Sequence, residues 1–312
     1  MAWGEYTVGA MVNAVEVTDL TVRFDHVTAL DGVTHTFEPG TATAVMGVNG
    51  SGKTTMLECL ASLQKPTSGR VSGMSENLAY VCQHLPACWM PITAGEVVAM
   101  GRYGKRGLLG RLRGEDRAAM RKAGEQLDVN QFTSRSFGDL SGGQQQRVRI
   151  AQVLAGQPDV IMLDEPVTGL DIPSQERILG VIEEYSSRGA IVIITTHHLD
   201  EARHCDSVVL LANRLVAAGT PDEMLTEERL REAFGDRLLG DHAEHDHTHG
   251  MIVLDDHGHH GHGHSHDPHG RGHGHDHHSH GHSHSHDHDH SHLGYGHDHG
   301  HHGHHGHGPH AH

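Results

Sequence analysis

Over Val15–Phe24 the run Val-Glu-Val-Thr-Asp-Leu-Thr-Val-Arg-Phe alternates apolar and polar residues, which predicts a half-buried strand. A second strand is expected over residues 33–37, closed by the turn Glu38-Pro39-Gly40. Residues 41–46 read as a short buried strand ending at Gly47. After a glycine-rich loop, residues 56–63 carry a helix-like pattern. Further on, Val160-Ile161-Met162-Leu163 and residues 190–196 are unbroken apolar runs of the kind found in buried parallel strands. A helical run leads to Leu154 between them.

The loop after the third strand is Gly47-Val48-Asn49-Gly50-Ser51-Gly52-Lys53-Thr54-Thr55, and its first eight residues have the spacing G-x-x-x-x-G-K-[ST]. Glycines let the backbone curl so that successive N–H groups point at phosphate oxygens, and the helix beginning near Lys53 adds its positive dipole end. Lys53 is placed to reach the β and γ phosphates, and the Thr54 hydroxyl to ligate Mg²⁺. The run 160–163 ends in Asp164-Glu165-Pro166. Two carboxylates at the end of a buried strand are costly without a cation. Mg²⁺ held by Asp164 and a water activated by Glu165 account for both. The last apolar run delivers His197 at its end, a candidate γ-phosphate contact.

Between the phosphate loop and the Asp-Glu strand lies Leu140-Ser141-Gly142-Gly143-Gln144-Gln145-Gln146-Arg147. With Leu-Ser-Gly-Gly-Gln in that position, the sequence resembles the nucleotide-binding subunit of ATP-binding-cassette (ABC) transporters over about residues 12–240. The resemblance implies an α/β fold: a P-loop ATPase core with an antiparallel β subdomain and a helical signature subdomain over about 84–155. It also implies ATP and Mg²⁺ as cofactors. Residue by residue, Phe24 falls where the family stacks an aromatic ring on adenine, the alternative being plain strand core. Gln83 matches the glutamine that senses Mg²⁺ and the attacking water. Thr168-Gly169-Leu170-Asp171 matches the loop that crosses the dimer interface, with Gly169 where most relatives have Ala. His198 stands where many relatives carry Asp. In the family two subunits face head to tail, each ATP lying between one phosphate loop and the other subunit's Ser141–Gly143 segment. The implied partners are a second copy of this chain, a membrane permease and a metal-capture protein. The permease's coupling helix would meet the helical subdomain, where Arg102, Lys105, Arg106, Arg111 and Arg113 lie.

Composition divides the chain in two. Of 312 residues 37 are His, and only 6 of these precede residue 241. Residues 1–12 are expected to be flexible, 13–240 to form the nucleotide-binding domain, and 241–312, poor in branched and aromatic residues, to form a disordered tail. Runs such as His280, His282, His284, His286 and His288, spaced two apart with carboxylates among them, are candidate ligands for Zn²⁺ or another transition metal. Half-protonation near the reference pKa of about 6.5 would add roughly +15 charges to this tail, so metal binding there should weaken below about pH 6. Cys82, His84 and Cys88 form a C-x-H-x₃-C cluster beside Gln83, one ligand short of a structural zinc site. Four cysteines are too few for a disulfide framework.

Charge and hydropathy narrow the function classes. Before the tail, acidic residues outnumber basic ones, against a nucleic-acid-binding surface. Neither a secretory signal nor the roughly 18-residue apolar run of a membrane span is apparent, so the expected location is the cytoplasmic face of the cell membrane, through the permease. The compact length, the Thr-Gly-Leu-Asp loop and the His-Asp tail resemble the zinc and manganese importer branch. Zinc is favoured because manganese prefers oxygen ligands to imidazole. The alternatives are a metal exporter's ATPase subunit and a metal-storage or metallochaperone protein with a nucleotide-controlled switch.

Overall fold

The computed structural model describes residues 12–83, 91–107 and 110–235. In chain order the elements begin with β1 (Val15–Phe24), β2 (Val27–Phe37), β3 (Ala42–Met46), α1 (Lys53–Leu60), β4 (Ser68–Ser72) and β5 (Leu78–Val81). The helices α2 (Ala94–Met100), α3 (Tyr103–Arg106), α4 (Gly114–Gln126) and α5 (Gly142–Gly156) follow. The chain then returns through β6 (Val160–Asp164), α6 (Ile172–Ser187), β7 (Ile191–Thr196), α7 (Leu199–Arg203), β8 (Ser207–Leu211) and β9 (Leu215–Gly219), and ends in α8 (Pro221–Met224) and α9 (Glu227–Phe234).

Two sheets organise these elements. The smaller has the order β2-β1-β4 and is antiparallel. The larger has the order β5-β6-β7-β3-β8-β9 and is parallel except for the β8–β9 hairpin. The central strands β3, β6 and β7 are buried at every position, which is why they read as continuous apolar runs. Their side chains still alternate between two cores. Ile161, Leu163, Val192 and Ile194 face one core, together with residues of α2, α4, α5, α6 and α9. Val160, Met162, Ile191 and Ile193 face the other, with Met56, Leu57 and Leu60 of α1 and the inward residues of β1 and β2. The parallel sheet is therefore the middle layer, and β3 ends at its centre.

The first strand contains a break that its alternation only hints at. Val15 and Val17 are buried, then the phase slips so that Leu20 and Val22 are buried instead. Asp19 sits at φ 48° in the slip, and its amide donates to Thr34 Oγ1 at 2.9 Å. This is a β-bulge that restores the inward face after one extra residue. The second strand is longer than expected, starting at Val27 rather than 33, and α1 starts at Lys53 and stops at Leu60, leaving Leu63 exposed.

The helical layer corrects one expectation. Arg102 and Arg106, placed among the permease-facing basic residues, turn inward onto Asp116, which is fully buried. Arg106 Nε lies 2.9 Å from Asp116 Oδ2 and Arg102 Nε 2.8 Å from Oδ1. Arg106, the Arg113 amide and Arg102 hold the Asp116 carboxyl far below the usual carboxylate range against the opposing effect of burial. Arg102 also donates to the Ala155 carbonyl at the end of α5. Lys105, Arg111 and Arg113 stay exposed.

Where α2 ends against α5, Gly101 leaves no room for a side chain: an added Cβ would lie 1.9 Å from the Gln152 carbonyl oxygen. Gly101→Ala should push the two helices apart and lower the unfolding free energy by about 1–3 kcal/mol. Urea denaturation at unchanged slope checks this, and wild-type stability would mean that the helices shift freely.

Candidate functional site

The site is built at the carboxyl end of the parallel sheet, where β3, β6 and β7 deliver their last residues side by side. Met46 ends opposite Thr196, and Asp164 opposite Thr195. Ligand sites in open α/β sheets lie at such edges.

The loop Gly47–Gly52 joins β3 to α1 and is shaped by close approaches. A Cβ at Gly47 would meet the Leu211 carbonyl oxygen at 2.2 Å and Ser51 Oγ at 2.4 Å. Gly52 lies at φ 97°, with a Cβ position 2.5 Å from the Ala29 carbonyl oxygen. Only glycine satisfies both. Lys53 is 6% exposed, and its Nζ donates to the carbonyls of Gly47 (2.8 Å) and Val48 (3.2 Å). Burial lowers its proton affinity, while the nearby Glu165 and Asp164 carboxylates act in the opposite sense. Ser51 Oγ is buried without a hydrogen-bond partner among the described residues. Asn49 and Gly50 are exposed at the loop's tip, and Thr55 is half-buried.

Asp164, 2% exposed, joins the pieces. It accepts from Thr54 Oγ1 at 2.9 Å on one oxygen and from the Thr195 hydroxyl of β7 on the other. Glu165 follows at φ 48°, left-handed backbone that is costly for a residue with a Cβ. Its amide is fixed by Thr195 Oγ1 at 2.9 Å. Its carboxylate accepts from Gln83 Nε2 at 2.5 Å and from Thr168 Oγ1 at 3.4 Å. His197 Nδ1 lies 3.6 Å from Glu165 Oε1, beyond hydrogen-bonding range, and has no other partner among the described residues. The neighbouring imidazole is the main influence holding the Glu165 carboxyl below the ordinary range, with Lys53 and Thr168 adding to it and burial opposing. The His198 ring sits 4.1 Å from that of His197, and burial together with this neighbour lowers its proton affinity.

The expected site residues thus separate into clusters. Gly47–Thr55, Gln83, Asp164, Glu165 and His197 belong to one. Phe24 stands at the end of β1, 43% exposed, which removes the strand-core alternative. Ser141–Gln144 form the amino end of α5: Ser141 Oγ accepts from the Gln144 amide (3.3 Å) and Gln144 Oε1 from the Ser141 amide (3.1 Å), a capping box. This helix end packs against the loop after β6, where Gln146 donates to the Pro166 carbonyl at 3.2 Å. In that loop Gly169 has φ 74°, a conformation glycine adopts freely, and Asp171 occupies the N-cap position of α6 without a side-chain cap hydrogen bond, exposed beside Ile172. Of the Cys82, His84 and Cys88 cluster only Cys82 falls within the described residues. His280, His282, His284, His286 and His288 all lie outside them. Among the described residues no three His, Cys, Asp or Glu side chains are grouped to hold a metal.

One residue of the site was missed in the sequence. Asn213, in the turn between β8 and β9, donates from Nδ2 to the carbonyls of Gly50 and Ala29, both at 3.0 Å, and from its amide to Ser51 at 2.8 Å. It clamps the phosphate loop to β2 from 163 residues beyond Gly50. A lone Asn in an Asn-Arg turn carries no signal of such reach.

An ABC transporter family model matches residues 30–168. The manganese transport system ATP-binding protein MntA of Synechocystis sp. is 35% identical over 235 residues, 72% of this chain and 89% of that one. The zinc transport system ATP-binding protein TroB of Treponema pallidum is 33% identical over 240 residues, 74% of this chain and 90% of that one. A dimeric bacterial ABC transporter cassette superposes with a TM-score of 0.58 at 27% identity, covering 66% of this chain and 98% of the other. The chain belongs to the ABC transporter family, as an ATP-binding subunit that hydrolyses ATP.

Proposed function

We propose that this subunit energises a membrane permease for transition-metal uptake, with zinc as the cargo and the His-rich tail as a cytosolic metal buffer or sensor. The observation that carries the mechanistic part is the meeting of Lys53, Thr54, Asp164, Glu165, Gln83 and His197 at one end of the sheet. The cargo reading is supported by relatives named for manganese and zinc transport, and the choice of zinc by the imidazole-rich tail.

The site fits ATP with Mg²⁺. Buried Ser51 Oγ awaits a partner, Gly50 at the tip of the loop faces open space, and the Thr54 and Asp164 oxygens are hard ligands of the kind Mg²⁺ takes. Thr54, Asp164 and Gln83 would hold Mg²⁺, which would supply positive charge against the phosphates. Loop amides from Asn49 to Thr55 cradle the phosphates, and Lys53 exchanges its two carbonyl acceptors for phosphate oxygens. Phe24 offers its exposed ring to adenine. Glu165, ionised at neutral pH, orients the attacking water and accepts its proton. His197 hydrogen-bonds the γ-phosphate. In a head-to-tail homodimer the partner's Ser141–Gln144 segment closes over the same phosphate, and Asp171 lies at the crossing loop. No helix among the described residues is long and apolar enough to cross a membrane. In this reading the permease holds the subunit at the membrane, and a capture protein supplies the metal.

Glu165→Gln should retain ATP affinity while lowering hydrolysis by about 10²–10⁴-fold, the usual contribution of a positioned base. In metal-starved cells carrying that variant, elemental analysis should show a selective fall in zinc. Excess zinc would reverse the direction to export. Unchanged zinc with lowered manganese would overturn the cargo, and rapid turnover would remove Glu165 as base.

Deleting residues 241–312 should leave ATP hydrolysis without zinc unchanged and abolish its response to added zinc. The same response in the truncated chain would disprove a sensing tail. In the full chain zinc retention should fall below about pH 6, as imidazoles protonate, and pH-independent retention would exclude histidine ligands.

A further inference from the structure

Asn213 occupies the turn between β8 and β9 at φ 58°, a left-handed conformation that Asn adopts more readily than most residues. Its backbone is held from two sides: the N–H donates to the Ser51 carbonyl at 2.8 Å, and the carbonyl accepts from the Asp31 amide at 2.7 Å. Its half-buried side chain presents Nδ2 to three carbonyls, those of Gly50 and Ala29 at 3.0 Å and that of Thr28 at 3.4 Å. The nitrogen carries two protons. One serves the phosphate loop, and the other is shared along β2.

Both ends of this bridge lie in the nucleotide site. A trans peptide carries its N–H opposite its C=O. With the Gly50 and Ser51 carbonyls held towards Asn213, the Ser51 and Gly52 amides point the other way, and that of Ser51 donates across the loop to the Val48 carbonyl at 3.1 Å. These amides are among those that would cradle phosphates. On the β2 side, Thr28 and Ala29 directly follow the tip of the β1–β2 pair, where Phe24 is paired with Val27 and Arg23 with Thr28. The Ala29 carbonyl oxygen also stands 2.5 Å from the Cβ position of Gly52, so strand and loop are in contact there as well.

We propose that Asn213 is a positioning residue that couples recognition of the base to recognition of the phosphates. Its side-chain amide ties the strand pair that carries Phe24 to the loop whose amides meet the phosphates, so a base stacked on that pair favours the phosphate-binding arrangement of the loop. The inference rests on the reading of Phe24 as the adenine platform and of residues 47–55 as the phosphate cradle. Coupling of this kind is a free energy shared between two contacts. Removing the link therefore weakens a ligand that makes both contacts more than a ligand that makes one.

Asn213→Gly removes the side chain alone, because glycine adopts this backbone conformation freely and keeps the bonds to Ser51 and Asp31. In the full-length chain with Mg²⁺, Kd is measured for ADP and for inorganic pyrophosphate, the phosphate part without adenosine. ADP should bind about tenfold more weakly than to wild type and pyrophosphate about threefold more weakly, changes of the size that losing one hydrogen bond allows. The preference for ADP over pyrophosphate should thus fall about threefold. An unchanged preference, whether both ligands weaken alike or neither does, overturns the inference, since loosening of the loop or of the whole fold gives that result. Phe24→Ala should weaken ADP and leave pyrophosphate unchanged, and in the Asn213→Gly background its effect on ADP should be about threefold smaller. An undiminished effect there also overturns the inference. Wild-type ADP affinity in Phe24→Ala alone removes instead the reading of Phe24 as platform, and the ligand preference of Asn213→Gly then decides by itself whether Asn213 links base to phosphate.

Discussion

A carboxylate almost wholly withdrawn from water must be hydrogen-bonded on both oxygens, and Asp164 meets that demand with hydroxyls from two different elements. Thr54 reaches it from the start of α1, and Thr195 from the end of β7. The arrangement requires β3, β6 and β7 to be neighbours and parallel, because only then do their carboxyl ends lie together. Thr195 carries the constraint one residue further by accepting the Glu165 amide, which holds Glu165 in its left-handed conformation. The same hydroxyl thus fixes the proposed metal ligand and the proposed base. Backbone strain at Glu165 is sustained by hydrogen bonds on both sides of it, the condition under which such strain persists.

The phosphate loop depends on a second constraint, the closeness of backbones. Gly47 touches the strand end at Leu211, Gly52 touches β2 at Ala29, and Asn213 ties the loop to both regions. The antiparallel sheet, remote from the signature helix in sequence, is therefore part of the loop's support as well as the platform for Phe24. Lys53 is held among carbonyls with two carboxylates near enough to favour its charge. Nothing in the loop has to refold for its ammonium to turn towards a phosphate.

Much of this was legible because parallel strands and phosphate loops impose local patterns. Residues 41–46, 160–163 and 190–196 gave β3, β6 and β7 to within a residue, and the loop's spacing placed Lys53 and Thr54. What escaped notice was nonlocal. The first half of β2 is largely exposed and interrupted by Asp31 and Gly32, so periodicity has little to register there. Arg102 and Arg106 look like surface cations until Asp116, on another helix, is seen between them. Asn213 is an unremarkable letter whose role comes from what the fold sets beside it.

The occupancy of Glu165 explains, on the proposed mechanism, why a lone subunit should be a poor ATPase. One of its oxygens is already shared by Gln83 and Thr168, and the other faces His197. A water can be oriented for attack only once Gln83 leaves this carboxylate and the imidazole turns to the phosphate. Both movements need a ligand that competes for those groups, which ATP supplies in part. The loop after β6 links Glu165 to the amino end of α5 through Pro166 and Gln146, and to exposed Asp171 and Ile172 beyond. Docking of a second subunit on that exposed stretch would therefore bear on the segment that carries Glu165, and so make hydrolysis conditional on the dimer.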